Sequence, residues 1–563
     1  MGRGRVLAAL VVLAAGCSAA PAAAPATTAT AALDVVVRVG GPSAPGDTKV
    51  AIVGGPAGLV GMPFEVLDAA GTAVASGALA PADGQHDPFA AAYSADLTGV
   101  DAPGEYTVVV GGVRSVPWVV ADDPYDGLVP LLLEVFAVNH DGDEPSPAHG
   151  PSHLHDATVA VGPHAGEHVD LTGGWMDSGD QIKFTLTTAF AVLALEWSAR
   201  LDADDADALR DEAAVGLRWL AKAHPAPDLF IRQVDDESDH LADFRNPDED
   251  DASPDPHRND RAAYPTVRSD IAGKAAAALA AGGEVDAAVE WYELGAATLD
   301  AAADLDEDPS GFYEDSDPGF WTDDMALAAV ELWRATGDPG YLDEAADWFS
   351  QFPDDLQYAG TDVVTTGAFA AGELCGAFGG APAPPGAARD AAAAFLTSSA
   401  QADLDRVGPG QPDENPWGNL AEPPTPMALR TLGHAATVAM ARRCGLLDEG
   451  DARVAETGAR DFVFGRNPWG VDFVVGHSDR SATTTHHWLT FTTGEAVHGG
   501  LQLGPTDPAD FGVDDGQGGP PDGPFDSAYW VYADDPARFL NSEVGIASNA
   551  EAILAFVLLS APE

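Results

Sequence analysis

Two short segments carry residue types able to do chemistry. In Gly173-Gly174-Trp175-Met176-Asp177-Ser178-Gly179-Asp180-Gln181-Ile182-Lys183-Phe184, glycines free the backbone, a tryptophan offers a flat apolar face, and two aspartates stand just before an apolar run. Carboxylates that close need not share a pKa, and either can hold a water. A tryptophan beside such a pair suits a sugar ring. The same Asp-Ser-Gly-Asp also reads as a helix-entry loop with an N-cap aspartate. Far along the chain, Tyr532-Ala533-Asp534-Asp535-Pro536-Ala537-Arg538-Phe539-Leu540-Asn541-Ser542-Glu543-Val544-Gly545-Ile546 leads into the last apolar run. Glu543 sits among Phe539, Leu540, Val544 and Ile546, where partial desolvation would raise its pKa and keep it protonated near neutrality, as a general acid requires. It reads equally as a residue favoured near a helix start by the helix dipole.

The elements that must position these residues fall into two kinds. From about Leu33 to Val120, runs such as Val35 to Val39, Lys49 to Val53, Phe64 to Leu67 and Tyr106 to Val110 are strand-like, with Gly/Pro/Asp turns between them. Short strands at such spacing predict a β-sandwich of about immunoglobulin size over residues 33–121. From Asp122 the pattern is helical. Met325, Ala328, Ala329, Leu332 and Trp333 recur at i, i+3, i+4, i+7 and i+8, the stripe of a helix facing a core. Thr185 to Leu201, Lys274 to Ala281, Asp343 to Phe349, Met427 to Arg443, Asp451 to Phe464 and Val544 to Leu559 are further helices. Long loops at Asn246 to Asp260, Asp304 to Gly319 and Gly504 to Ser527 are more than packing requires, and long loops on a helical scaffold build sites.

The chain has 563 residues, with 27 Lys+Arg against 89 Asp+Glu and a net charge of −62. Nucleic acid is excluded as a partner, because its phosphates would meet a repulsive field. Disorder throughout is excluded by the 46% hydrophobic content. The only lysines are Lys49, Lys183, Lys222 and Lys274. Such a surface suits concentrated salt, where it keeps the protein hydrated, or reflects a preference for small acidic residues. Residues 1–17 read as an export signal: Arg3 and Arg5 precede an apolar run too short to span a bilayer, and Leu13-Ala14-Ala15-Gly16-Cys17 resembles a bacterial lipobox. The product is exported, as a cell-surface lipoprotein anchored at Cys17 or as a secreted protein, with residues 18–32 as an Ala/Pro/Thr-rich tether. Whether Cys375 and Cys444 pair stays open.

Taken together, these blocks resemble glycoside hydrolase family 9, inverting cellulases and related enzymes, in the subgroup with an N-terminal immunoglobulin-like domain. The family's Gly-Gly-Trp-Tyr-Asp-Ala-Gly-Asp-His-Val-Lys-Phe corresponds to Gly173 to Phe184, with Met176, Ser178, Gln181 and Ile182 as departures. Further blocks are Gln233-Val234-Asp235 with Asp239-His240, Ala335-Thr336-Gly337-Asp338 with Tyr341-Leu342, Trp417-Gly418-Asn419, and Phe464-Gly465-Arg466-Asn467-Pro468 followed by Val474-Val475-Gly476. The resemblance implies an (α/α)6 barrel over residues 122–563 and hydrolysis of β-1,4-glucosidic bonds in cellulose, related β-glucans or cellodextrins. It implies Glu543 as general acid, Asp180 as general base and Asp177 as the aspartate that helps hold the water. An inverting pair stands about 6.5–9.5 Å apart to admit that water.

Candidate sugar-contacting residues are Trp175, Trp417, His486, His487, Trp488 and Tyr532. At Thr484-Thr485-His486-His487-Trp488 the family's Pro-His-His-Arg loses its arginine, which replaces a bidentate cation by a stacking surface or by core. An exo-acting enzyme on short cellodextrins or glucosamine oligosaccharides is the alternative within the family, and an inactive glycan-binding surface lipoprotein the alternative outside it. No cofactor is required for the chemistry. The family's zinc thiolates are missing from Asn139-His140-Asp141-Gly142 and Ser152-His153-Leu154-His155-Asp156, which leaves His140, Asp141, His153, His155 and Asp156 as candidate ligands. A structural calcium on acidic loops such as Asp304 to Asp317 is favoured over zinc. The chain is expected to act as a monomer whose only membrane contact is the N-terminal lipid.

Overall fold

A computed structural model of the chain describes residues 35–240, 244–265, 267–298, 321–358, 360–406, 415–421, 426–511 and 519–561. The export signal, the tether and the acidic loop around Asp304 to Asp317 lie outside these residues.

The N-terminal part is nine strands: β1 (Val36–Arg38), β2 (Val50–Gly55), β3 (Pro63–Asp68), β4 (Ala73–Ala78), β5 (Ala80–Ala82), β6 (Ala91–Asp96), β7 (Gly104–Val110), β8 (Val113–Arg114) and β9 (Trp118–Val120). They form two sheets, ordered β1-β2-β6-β5 and β4-β3-β7-β8, with β9 also on β7. The strand period decides what is inside: Phe64 and Val66 of β3 and Tyr106, Val108 and Val110 of β7 are buried while Glu65 and Glu105 face out.

Among the described residues, twelve helices of nine residues or more follow: α1 (Leu128–Val138), α2 (Thr185–Leu201), α3 (Ala206–Lys222), α4 (Ser269–Ala281), α5 (Val285–Ala297), α6 (Thr322–Thr336), α7 (Gly340–Phe349), α8 (Gly367–Cys375), α9 (Ala387–Arg406), α10 (Met427–Arg443), α11 (Glu449–Val463) and α12 (Ile546–Ser560). The even-numbered helices touch in the order α2, α4, α6, α8, α10, α12 and back to α2, a closed ring. Each packs most closely against one outer helix: α3, α5, α7, α9, α11 and, for α12, α1. Burial explains the split. Nearly every residue of α2, α4 and α12 is buried, as a helix apolar all round must be, whereas α3 buries one stripe and α11 buries its C-terminal half. The helices expected at Thr185 to Leu201 and Met427 to Arg443 have those bounds, and α4 begins five residues before the Ala-rich run suggests. The helices α8 and α9 left no sequence signal of their own, since one is short and Gly-led and the other is alanine and polar residues without a stripe.

Each ring helix is the first of its pair except α12, which closes the chain, so the segments entering the ring lie together at one end. A third small sheet braces that end: β10 (Thr158–Val159), β11 (Lys183–Phe184), β12 (Gln233–Val234) and β13 (Ala262–Tyr264), ordered β10-β13-β12-β11. Lys183 and Phe184 pair antiparallel with Val234 and Gln233, which fixes the chain just before α2. Cys375 at the end of α8 and Cys444 just past α10 form a disulfide, so the two cysteines tie neighbouring ring helices.

The sandwich is bonded to the helices over a broad face. Phe89 is buried against Trp417 and Phe525, with ring centroids 5.7 and 6.1 Å away. Arg460 donates to Asp47 at 2.8 Å and to Asp461 at 2.9 Å, while Arg38 donates to the Pro468 carbonyl and Arg480 to the carbonyls of Val39 and Gly40. These guanidiniums are largely buried and charge-paired or carbonyl-bound, so the junction is a fixed interface rather than a hinge.

Candidate active site

The segment Gly173 to Lys183 folds on itself. Gly173 and Gly174 take φ of +85° and +78°, the left-handed region where a side chain is strained. The Asp177 amide donates to the Ile182 carbonyl at 2.9 Å, and the Ile182 amide donates to Asp180 Oδ1 at 3.2 Å. Neither aspartate caps a helix, because the N-cap of α2 is Phe184 in extended conformation. The pair belongs to the loop. Asp177 and Ser178 are buried and Asp180 is half-buried.

Glu543 is brought to this loop by the chain entering α12. The Ile546 amide donates to the Asp177 carbonyl at 2.9 Å, and Ser178 Oγ donates to Glu543 Oε1 at 3.0 Å. Glu543 precedes the extended N-cap Gly545 and lies outside α12. A third segment closes the arrangement. His486 pairs in parallel with Glu543, its amide donating to the Ser542 carbonyl at 2.9 Å, and the Trp488 amide donates to the Gly179 carbonyl at 3.1 Å. Gly179 is required by this approach, since a Cβ there would stand 2.6 Å from the His486 carbonyl oxygen. Beneath the three segments Met176, Trp488, Leu489, Val497 and Val544 form one apolar cluster with Val135 and Val138 of α1.

Behind the loop lies a buried lattice of ions. Lys183 Nζ is 2.6 Å from Asp141 and 2.8 Å from Asp156, and Arg261 holds Asp156 at 2.6 Å. His153 Nδ1 is 2.7 Å from Asp141 Oδ1, and its Nε2 faces Gln181 Oε1 at 3.2 Å and Asp250 at 3.4 Å. Arg245 pairs with Asp250 and Asp239, and its carbonyl accepts from Gln181 Nε2 at 2.8 Å. Burial pushes the Asp141 carboxyl up, but Lys183, His153 and Arg261 outweigh it and hold the group well below the usual carboxylate range. Burial and Arg261 push the His153 imidazole down, but Asp141 and Asp250 prevail and raise it to about 9. Asp250, raised by burial, is lowered to about 2 by His153 and Arg245. Asp239, Asp250, Asp141 and Asp156 thus face Arg245, Arg261, Lys183 and a protonated His153. Both ends of the lattice touch the catalytic loop candidate, at Gln181 and at Lys183.

This lattice engages several of the candidate zinc ligands. A zinc ligand must present a lone pair, and both His153 nitrogens lie against acceptors, Asp141 at 2.7 Å and Gln181 at 3.2 Å. Asp141 and Asp156 are taken by cations, His140 lies against Glu212 at 2.9 Å and the Pro145 carbonyl, and the exposed His155 pairs with Asp251. Asp141, His153 and Asp156 meet around Lys183 and Arg261, whereas His140 and His155 pair elsewhere. Among the described residues no group of three His, Cys, Asp or Glu side chains is arranged to hold a metal ion.

Five of the six candidate sugar contacts are also placed elsewhere. Trp175, Trp417 and Trp488 are fully buried, so no face of theirs can meet a sugar. Trp175 donates to Glu212 at 2.7 Å and packs edge-on to Phe136, Trp417 meets Phe89 of the sandwich, and Trp488 is core beside Met176. His487 is buried, and burial with His486 and His149 lowers it to about 3, a neutral ring that bonds Asn139 Oδ1 at 3.0 Å and accepts from the Leu489 amide at 3.1 Å. It caps the short helix Trp488–Thr493. Tyr532 is nearly buried, its hydroxyl on Gln502. His486 alone is half-buried beside Glu543, edge-on to the stacked pair Phe244 and Phe491, whose rings lie 4.2 Å apart. Phe491 is 43% exposed. Neither phenylalanine is marked by a motif, because their pairing joins residues from unrelated loops.

Comparison with known proteins agrees with this layout. The family model "Glycosyl hydrolase family 9" matches residues 125–556, and "Cellulase N-terminal ig-like domain" matches residues 44–115. "Endoglucanase 21" of Oryza sativa subsp. japonica is 29% identical over 367 residues, covering 57% of this chain and 67% of that protein. Among solved structures, a metagenome-derived glycoside hydrolase family 9 endoglucanase superposes with a TM-score of 0.76 at 22% identity, covering 94% of this chain and 99% of the other. AaCel9A in complex with cellobiose-like isofagomine gives 0.74 at 20% identity, covering 94% and 100%. At these identities the structural likeness speaks for the fold.

Proposed function

The chain belongs to glycosyl hydrolase family 9, and from that premise we propose that it cleaves β-1,4-glucosidic bonds of β-glucans with inversion, with Glu543 as general acid, Asp180 as general base and Asp177 beside it holding the water. The observation that carries the reading is the meeting of Ser178 and Glu543 at 3.0 Å, which joins the carboxylate loop to the remote acid. Glu543 protonates the glycosidic oxygen as the bond to the anomeric carbon breaks, and the water that attacks from the opposite face gives its proton to Asp180. The closed ring of six helices, each with an outer partner, supports an (α/α)6 barrel as the scaffold. The burial of Trp488 removes the stacking argument for a different sugar, which leaves a glucan as the better-supported substrate. Glu543→Gln and Asp180→Asn should each lower turnover of cellotetraose by at least about 100-fold, and NMR should show the α-anomer as first product. A Glu543→Gln enzyme near the wild-type rate, or initial β-anomer, would sink the assignment.

Export is supported by the disulfide between Cys375 and Cys444, a bond that persists in oxidising compartments. Work in concentrated salt is supported by the fate of the lysines. All four are ion-paired, to Asp101, Asp141 and Asp156, Asp170, and Asp324, and only Lys222 among them is not buried. The acidic surface is left with few partners. A melting temperature that falls as sodium chloride rises to about 2 M would contradict this, since screening should relieve the repulsion.

A further inference from the structure

Ser178 stands between Asp177 and Asp180, at a position where the family pattern has alanine. It is 4% exposed, and its hydroxyl donates to Glu543 Oε1 at 3.0 Å. The backbone on both sides is fixed, by the Ile546 amide on the Asp177 carbonyl and by the contact of Gly545 with Ser178, where an added Cβ would lie 3.0 Å from Ser178 Cβ. The hydroxyl therefore meets the carboxyl because the two chains are locked together, not through a chance rotamer.

We infer that Ser178 is a positioning residue that orients the Glu543 carboxyl and sets how readily it gives up its proton, an inference that rests on reading Glu543 as the general acid. The oxygen that accepts from Ser178 is the poorer seat for the carboxyl's own proton, so Oε2 carries the proton delivered to the leaving group. As the glycosidic C–O bond breaks, its electron pair goes to the leaving oxygen, which takes that proton, while the attacking water bonds to the anomeric carbon and passes a proton to Asp180. Glu543 ends as a carboxylate. The bond from Ser178 then becomes charge-assisted and stronger, an interaction that grows toward the transition state. The titratable and charged groups on the segments that adjoin Glu543 are Asp177 and Asp180 of the same loop, His486, paired in parallel with Glu543, with His487 after it, and Asp534, Asp535 and Arg538 before the short helix Phe539–Ser542. They are common to every variant below, so a difference isolates the hydroxyl.

The test compares wild type, Ser178→Ala and Ser178→Thr on cellotetraose and on 2,4-dinitrophenyl β-cellobioside, whose leaving group needs no proton. Rates are taken across the pH range in which circular dichroism shows each variant folded. Removing a donor to the carboxylate raises the acid's pKa, so in Ser178→Ala the alkaline limb of kcat/KM on cellotetraose should move up by about half a unit to one unit, with a roughly 3- to 10-fold lower optimum. Threonine should restore both, and the aryl substrate should change by less than about 2-fold. An unmoved limb, a threonine variant no better than alanine, or an equal loss on the aryl substrate overturns the inference. Glu543→Gln separates the two layers. If it turns over cellotetraose, the acid assignment itself is wrong, and if it is inactive there while Ser178→Ala keeps the wild-type profile, only the role of Ser178 falls.

Discussion

Raising the pH should unlock the ion lattice behind the carboxylate loop, and His153 sets where. Its imidazole is buried, with Nδ1 2.7 Å from Asp141 and Nε2 near Gln181 and Asp250, and its pKa is raised from 6.5 to about 9. The folded protein therefore holds this proton more tightly than the unfolded chain does. The stabilisation is fully present below about pH 6.5 and is lost as pH rises to and through about 9. A shift of about 2.5 units corresponds to about 3 kcal/mol. Deprotonation leaves Asp141, Asp156, Asp239 and Asp250 facing only Lys183, Arg245 and Arg261, and takes one donor from a site with no water-facing side. Urea unfolding followed by tryptophan fluorescence from pH 6 to 10 measures this, with His153→Gln as the reference for other titrating groups. The variant should be less stable by about 3 kcal/mol at pH 6 and should converge on wild type near pH 10, its own curve flatter across that range. Two parallel curves, with the gap constant from pH 6 to 10, would refute the reasoning, because the protonated imidazole would then contribute nothing that its neutral form does not.

Reducing the Cys375–Cys444 bond opens a loop of 69 residues between neighbouring ring helices and should cost about 4 kcal/mol in the chain-entropy account, read as a lower melting temperature in dithiothreitol that Cys444→Ser reproduces without reductant. Phe89→Ala removes the sandwich ring buried on Trp417 and should destabilise by about 3–5 kcal/mol and speed proteolysis at the domain junction, so an unchanged melt and cleavage pattern would show that the domains do not support each other. Asp235 has φ of +74°, the left-handed region that favours glycine, and burial together with Asp239 raises its carboxyl well above the usual range. A raised carboxyl costs stability above the unfolded pKa and none in acid, so Asp235→Gly should gain roughly 1 kcal/mol or more at pH 7 and less at pH 4, as measured by urea midpoints.

What could be read from the residues, and what could not, follows from the range over which each signal acts. The stripe from Met325 to Trp333 and the apolar run from Thr185 to Leu201 are local, and both became ring helices. The carboxylate segments are local as well, so Asp177, Asp180 and Glu543 stood out before any fold was known. Their meeting was not visible, because Ser178 and Glu543 are 365 residues apart and only the resemblance linked them. Tryptophan misled for a physical reason. An indole suits a sugar or a core equally, and what decides is the neighbour: Phe136 for Trp175, Phe89 for Trp417, and Met176 with Val138 for Trp488. Two departures from the family pattern, Met176 and Trp488, share that last cluster, so the loss of arginine is accompanied by apolar packing rather than by a new sugar platform. For the His-rich stretch, residue type alone cannot say whether a histidine offers a lone pair or a proton.

Scarce cations, an acidic exterior and a buried, ion-paired lattice around Asp141 together imply that salt and pH act on different parts of this molecule. Arg232, Arg245, Arg261, Arg442, Arg460, Arg466, Lys49, Lys183 and Lys274 are all buried, which takes these cations away from the surface, where most of the carboxylates of the described residues remain. Screening at about 0.1 M salt acts over roughly 10 Å of water and reaches buried pairs weakly. Surface repulsion should therefore relax with added salt while the lattice around Asp141 does not. The expected outcome is specific: sodium chloride at about 2 M raises the melting temperature of wild type and of His153→Gln alike, and the gap between them at pH 6 stays within about 0.5 kcal/mol of its low-salt value. A gap that closed with salt would mean that His153 answers to the acidic surface as a whole rather than to Asp141 and Asp250, and the alkaline unlocking of the lattice behind the carboxylate loop would then need a different cause.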